Sequence, residues 1–387
     1  MDFKKYSRRY IVLKALQGSM LGWSSATYAF FLLQHGYQLH HLTMVNMVFM
    51  SLGSVIDPWT GKLADMVGQK KVFLFGIVFW GLGTFTYFLA NNLPGFMLAE
   101  SIAALAYALN SQSLESWLQN LFPERAQELP VVRARAGWAS KIGIIPAAIA
   151  GSLIGSQYGF EWPWLMEAIS ALVLLGVAIV MLRNLTESYN HSESEKVSVI
   201  EAVKVTAHNK ALRLSTLFVF VTFFTFQSFN MFWSEIFRQA SSGSSWWQGF
   251  VWIGIAIAIA IGSYASGKAK VVSGQHLALI AGSSGLAMLF ASALNSNVLL
   301  LVLFFVLHEI PRGAIENVMF TYSNTHIKPH NRSTMNSVRS GAGRLGGAFG
   351  LAVFGALLFF EITDPIGTWV ISSIILLVLA SWMKLRA

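Results

Sequence analysis

The chain of 387 residues has no cysteine, which excludes disulfides, thiolate nucleophiles, Cys-ligated zinc and iron–sulfur clusters at once. Charge is scarce as well. Asp, Glu, Lys and Arg make up 12% of residues, about half of what soluble domains carry. Long polar runs are nearly missing, the exception lying between Asn184 and Arg213. What the sequence has in excess is apolar and aromatic: 55% hydrophobic residues, 29 Phe, 13 Trp and 10 Tyr, with a mean hydropathy of +0.55. So little charge cannot clothe a protein in water, so most of the surface must face lipid. A collagen, a disordered chain and a cytosolic enzyme are excluded.

A membrane-spanning helix needs about 20 mostly apolar residues, because the hydrocarbon core is about 30 Å thick and a helix rises about 1.5 Å per residue. Such stretches are predicted near 11–33, 42–63, 72–90, 94–118, 135–157, 162–182, 213–237, 246–266, 276–293, 298–322, 335–360 and 366–383. The expected fold class is an all-α membrane protein of about twelve transmembrane helices in two pseudo-symmetric six-helix bundles. The polar stretch, with an amphipathic VSVIEAVKVTAHNK at its end, divides the chain into an N-terminal bundle (1–183), a central loop (184–212) and a C-terminal bundle (213–387).

The +9 net charge reads as topology. With the N-terminus in the cytoplasm, Lys4, Lys5, Arg8, Arg9, Lys62, Lys70, Lys71, Arg125, Arg133 and Arg135 fall inside, as do the cations of the central loop and the C-terminus, whereas the predicted outer connections hold only Arg238. The positive-inside bias therefore predicts a multi-pass plasma-membrane protein with both termini cytoplasmic. Nucleic acid is not an expected partner. The opening MDFKKYSRRY and its apolar run read as a retained first helix, since the run is too long for a signal peptide and holds Lys14 and Gln17.

The fourth and fifth spans carry SLESWLQNLFPERAQELPVVRARAGWASKIGIIPAAIAG, and the tenth and eleventh carry AIENVMFTYSNTHIKPHNRSTMNSVRSGAGRLGGAFG. Glu115 aligns with Glu316, Pro130 with Pro329, Arg133 with Arg332 and Gly151 with Gly350, which reads as an internal duplication, against the alternative of two chance-like amphipathic loops. After the second span comes GKLADMVGQKK, residues 61–71. A tight reversal there needs glycine, here Gly61 and Gly68; Asp65 can cap the next helix, and Lys70 and Lys71 can anchor at the headgroups.

The spacing G-x-L-A-D-x-x-G-x-K-K resembles the signature loop between the second and third helices of the major facilitator superfamily, and twelve spans with a long central loop extend that resemblance over the whole chain. It implies two six-helix bundles rocking about a midplane site by alternating access. The chain departs from the family's drug/proton antiporters in two places: Glu100 stands where the fourth helix usually carries Arg, and IIPAAIAG around Pro146 replaces the antiporter pattern of the fifth. SLESW at Ser113–Trp117 resembles bacterial members with an E-A-W-L-like signature.

A charge at mid-bilayer costs about 2.5–3.5 kcal/mol, so intramembrane acids are functional candidates. On the tenth span His308, Glu309, Arg312 and Glu316 share one face. Glu309 and Glu100 are the proton-coupling candidates, Glu309 standing three residues from Arg312. The alternative is a self-neutralising ion network. HEIPR is not a zinc motif, because Arg312 occupies the position of the second His. The resemblance implies that the first, fourth, seventh and tenth helices line a cavity. That makes Gln17, Ser24, Tyr28, Tyr107, Ser111, Gln227, Asn230, His308 and Arg312 its candidates, with packing as the alternative for the aromatic residues among them. Few polar groups among many rings suit an amphipathic compound better than a sugar.

Gly61, Asp65, Gly68, Lys70, Lys71, Glu115, Glu316 and Arg339 are the gating candidates, an inner set of ion pairs and turns. Glu167 on the sixth span reads as a snorkelling residue. SGAGRLGG is no dinucleotide loop, since no strand precedes it; Gly346 and Gly350 form a G-x-x-x-G pair for close helix packing instead. The expected function is secondary active transport without cofactor or metal by a monomer, as proton-coupled efflux of a small hydrophobic or amphipathic compound. A proton-coupled importer of a small metabolite is the alternative, and a membrane sensor or embedded enzyme a remote one.

Overall fold

A computed structural model describes residues 2–110, 113–125, 128–182, 199–267, 272–324, 326–327 and 332–386; a few helical side chains, those of Asp65 and Glu316 among them, are outside the description. The described residues form helices and no strand. In chain order these are α1 (Phe3–Ser25), α2 (Tyr28–Gln34), α3 (Leu39–Val67), α4 (Gln69–Leu89), α5 (Leu93–Asn110), α6 (Ser113–Leu121), α7 (Leu129–Tyr158), α8 (Trp162–Leu182), α9 (Val199–His208), α10 (Lys210–Ala240), α11 (Gln248–Gly267), α12 (Gly274–Ala293), α13 (Val298–Asn324), α14 (Arg332–Phe359) and α15 (Pro365–Arg386). Every predicted span has its counterpart, and α9 is the amphipathic segment of the central loop.

Eleven runs among the described residues are long and apolar enough to cross a membrane, α5 and α6 counting as one. The predicted first span is not among those runs, and it is not one helix. It divides at Ala26 and Thr27, with no proline or glycine at the break. Hydroxyl groups compete for carbonyls there: Ser25 Oγ donates to Gly22 O at 2.7 Å and Thr27 Oγ1 to Ser24 O at 3.2 Å.

The loop motif is also corrected. The helix α3 runs through Gly61 to Val67, so Gly61 makes no turn, and the reversal is confined to Gly68, whose φ of 103° suits glycine. Gly68 is itself the residue that precedes α4, and the side chain of Asp65, expected to cap that helix, lies outside the described residues.

The chain forms two compact units, one of Met1–Gly36, Val55–Ser192 and Trp246–Trp252, the other of Tyr37–Ser54, Glu193–Ser245 and Ile253–Ala387. In the first, α1 packs on α7 and α8, and α4 on α5 and α8. Its core includes Leu13, Phe73, Ile77, Trp117 and Leu174, all buried. In the second, α10 packs on α14 and α15, and α12 on α13 and α15. A Cβ added at Gly346 or Gly350 would collide with the carbonyls of Phe220 or Phe224 on α10, so the G-x-x-x-G pair does set a close helix approach. Opposite such buried faces, large apolar side chains including Leu172, Val180, Leu279, Leu299 and Val378 are exposed, as lipid-facing residues must be.

Candidate functional site

Two polar nests lie inside the apolar spans, one in each unit. In the second unit, Glu309 on α13 is 1% exposed, and its Oε1 accepts from Arg312 Nη1 at 2.8 Å one helical turn away. The spacing of three residues places acid and base on one face, as the sequence implied. The same Arg312 nitrogen donates to Asn230 Oδ1 on α10 at 2.8 Å, joining two of the predicted cavity residues to a predicted proton site. The Arg312 guanidinium also lies 5.8 Å from the Phe226 ring centroid. Glu309 Oε2 is buried without a hydrogen-bond partner among the described residues.

His308 is fully buried, with its Nε2 3.7 Å from Glu309 Oε1. Its Nδ1 contacts its own helix at Phe305 O, and its ring is packed among Phe226, Phe229 and Phe305. This is an aromatic packing position, continued by Phe305 stacked on Trp369 at 5.5 Å. Gln227 is buried on α10 and donates to Phe223 O at 3.2 Å.

The nest of the first unit surrounds the break between α1 and α2. Glu100 on α5 is 7% exposed and accepts from Tyr28 Oη at 2.9 Å; Tyr28 Oη is 3.3 Å from Tyr87 Oη on α4. Tyr87 stacks on Trp164 of α8 at 4.0 Å. Glu167 lies one turn beyond Trp164 and is 1% exposed. It accepts from Ser24 Oγ at 2.6 Å, from Ser24 N at 3.3 Å and from Trp80 Nε1 at 2.8 Å. Glu167 therefore does not snorkel. The signal was present: Trp164, Glu167, Ala168, Ala171, Leu174 and Ala178 recur at helical spacing and are the buried stripe of α8, so the acid sits on the packing face.

The remaining candidates are dispersed. Gln17 accepts from Lys14 Nζ at 3.0 Å on α1, and Tyr107 is 44% exposed on α5. Glu115 on α6 pairs with Arg133 on α7, half of the duplicated acid–base motif. Arg339 on α14 donates to Met319 O at 2.8 Å and Ser323 Oγ at 2.9 Å on α13. Lys70 and Lys71 follow Gly68 in the first turn of α4. Ser111 and the side chains of Asp65 and Glu316 lie outside the described residues, so the ion-pair gate is not assembled by what is described.

Comparison with known proteins gives concordant results. The sequence profile of the Major Facilitator Superfamily matches residues 15–289. NiaP of Bacillus subtilis (strain 168), a protein named for niacin and nicotinamide transport, is 23% identical over 320 residues, 81% of this chain and 77% of its own length. EmrY of Escherichia coli (strain K12), named for multidrug resistance, is 26% identical over 146 residues, 36% of this chain and 27% of that protein. The crystal structure of the nucleoside transporter NupG matches with a TM-score of 0.77 at 15% identity, over 100% of this chain and 99% of that one, a likeness of fold.

Proposed function

Because the chain belongs to the Major Facilitator Superfamily and is a multi-pass membrane transporter rather than an enzyme, we propose that it exports a small hydrophobic or amphipathic compound in exchange for protons, by alternating access. One observation supports proton coupling above the others. Glu309 is a carboxylate buried inside a spanning helix, with one oxygen held by Arg312 and the other without a hydrogen-bond partner among the described residues, an open position for a proton. Asn230 and the Phe226 ring also contact Arg312, which links the acid to α10. A plasma membrane with both termini cytoplasmic completes the reading, supported by the distribution of cations.

The test uses proteoliposomes with an imposed proton gradient, the membrane potential clamped, and two probes, ethidium and radiolabelled niacin. Ethidium should accumulate against its own gradient and opposite to proton flow. The variant Glu309→Gln should keep ethidium exchange and lose accumulation, because Gln preserves shape but carries no exchangeable acid proton. Accumulation by Glu309→Gln at the wild-type level would remove Glu309 from the coupling. Niacin moving with the protons would support the second reading, a proton-coupled importer of a small metabolite, which the likeness to NiaP favours.

A further inference from the structure

The break in the first span is gripped from both sides by buried acids. Ser24, next to last in α1, gives Glu167 its hydroxyl and its backbone N–H, while Tyr28, first in α2, gives Glu100 its hydroxyl. Only Ser25, Ala26 and Thr27 separate the two grips. Both acids are more than nine-tenths buried, and among the described residues no Lys, Arg or His pairs or hydrogen-bonds with either. This sets them apart from Glu309 and Glu235, each of which has an Arg within 2.8 Å. Taking a charge out of water without a counter-charge is costly, so an ionised carboxylate persists in such a place only while its donors hold it, and a proton is the simplest neutralising ligand.

The groups facing the two acids decide what a proton would do. From α4 come Trp80 Nε1, a donor that cannot accept, and the Tyr87 hydroxyl; from α2 comes the Tyr28 hydroxyl. Two further titratable groups meet α2: His35 is engaged with Phe31 O beside the Phe96 ring, and Glu161 accepts from Gln34 Nε2 at 3.1 Å. Neither α1 nor α7 supplies a charged partner among the described residues, α1 giving the peptide and hydroxyl of Ser24. A carboxylate satisfies all these donors. A carboxylic acid cannot satisfy them in the same arrangement, because its own O–H must be given to an acceptor, and a Ser24, Tyr28 or Tyr87 hydroxyl must then turn from donor to acceptor to receive it.

We propose that Glu100 and Glu167 form a paired proton-binding site whose occupancy sets the bend of the first span at Ala26–Thr27. With both acids ionised, α1 and α2 are pinned to α8 and α5. Addition of a proton to either carboxylate reverses one of these bonds, since a facing hydroxyl must stop donating and accept instead, and loosens the break, so proton uptake becomes movement of a helix end inside the first unit. The use of that movement in transport rests on the proton-coupled reading above; binding of the proton and loosening of the break do not.

Hydrogen–deuterium exchange of the purified transporter in nanodiscs, without substrate, tests the site directly. After correction for the intrinsic pH dependence of exchange, peptides covering residues 20–34 should exchange several-fold faster at the acidic than at the alkaline end of the range in which the protein stays monodisperse. Glu100→Gln and Glu167→Gln should each reduce that dependence and the double variant should abolish it, while Glu167→Asp retains it. Infrared spectra should show a carboxylic-acid C=O band that grows with acidity and loses intensity in Glu167→Gln. Should the double variant not purify as a monodisperse protein, the single variants and the infrared band carry the same comparison. Corrected exchange that is independent of pH in the wild type, or a pH dependence unchanged in the variants, would overturn the proposal. A pH-dependent break in a protein that shows no proton-driven transport would leave this site standing and sink the coupling; the converse would sink the site alone.

Discussion

Glu309 and Glu167 are both about 1% exposed, yet they solve burial by different means. Glu309 has a cation, Arg312, at 2.8 Å, whereas Glu167 has a peptide N–H, a hydroxyl and an indole. The difference predicts opposite sensitivities. Removing the cation in Arg312→Met leaves a buried carboxylate with neutral neighbours and should destabilise the protein by about 3 kcal/mol, the low end expected for breaking a buried pair, because Arg312 is 33% exposed. Adding Glu309→Gln to that variant should restore part of the loss, since the uncompensated charge goes with it. Thermal unfolding in detergent measures both. Equal stability of Arg312→Met and wild type would show that the pair does not hold α13.

At the scale of elements, small residues and hydroxyl groups set where helices meet and where they bend. The pair Gly346 and Gly350 lets α14 lie against the carbonyls of α10. A branched side chain has no room there, so Gly346→Val should lower stability by about 1–3 kcal/mol, the usual cost of overpacking, and move the unfolding temperature down accordingly. An unchanged unfolding temperature would mean that the two helices separate freely at that level. The bend in the first span has no such steric origin. It lies where Ser25 and Thr27 hydroxyls satisfy carbonyls and where Glu167 takes the Ser24 N–H, so polar competition with the helix ladder accounts for it.

For the whole molecule, the cations make the strongest statement. Because the chain has no native cysteine, single thiols can be placed on either predicted face without background labelling. A membrane-impermeant maleimide applied to intact cells should label Asn297→Cys, in a predicted outer connection, and should reach Ser192→Cys, in the central loop, only after the cells are opened. Labelling of Ser192→Cys from outside would invert the orientation and with it the direction assigned to any proton gradient.

Hydropathy, helical spacing and charge bias are properties of neighbouring residues, and the features they dictate were legible in the chain: the spans, the amphipathic α9, the Glu309–Arg312 face and the glycine pair of α14. The family was legible too, in the spacing of residues 61–71 and the two-half layout, although Gly61 proved to lie within a helix. What the sequence left open depends on which helix faces meet. Glu167 is a charged residue in an apolar span whether it snorkels or is buried, and only the packing of α8 on α1 and α4 decides between the two. The break at Ala26–Thr27 lacks proline and glycine, and hydroxyls that bond back to carbonyls also occur along the unbroken α10, so the local pattern alone does not announce it; the donors it supplies are useful only because acids from α5 and α8 arrive there. Likewise Arg339, a cation on α14, is directed to the Met319 carbonyl and the Ser323 hydroxyl by its neighbour α13. Local free energies choose the elements, whereas the cost of burying an unpaired charge is settled by residues far away in sequence, and so belongs to the tertiary structure.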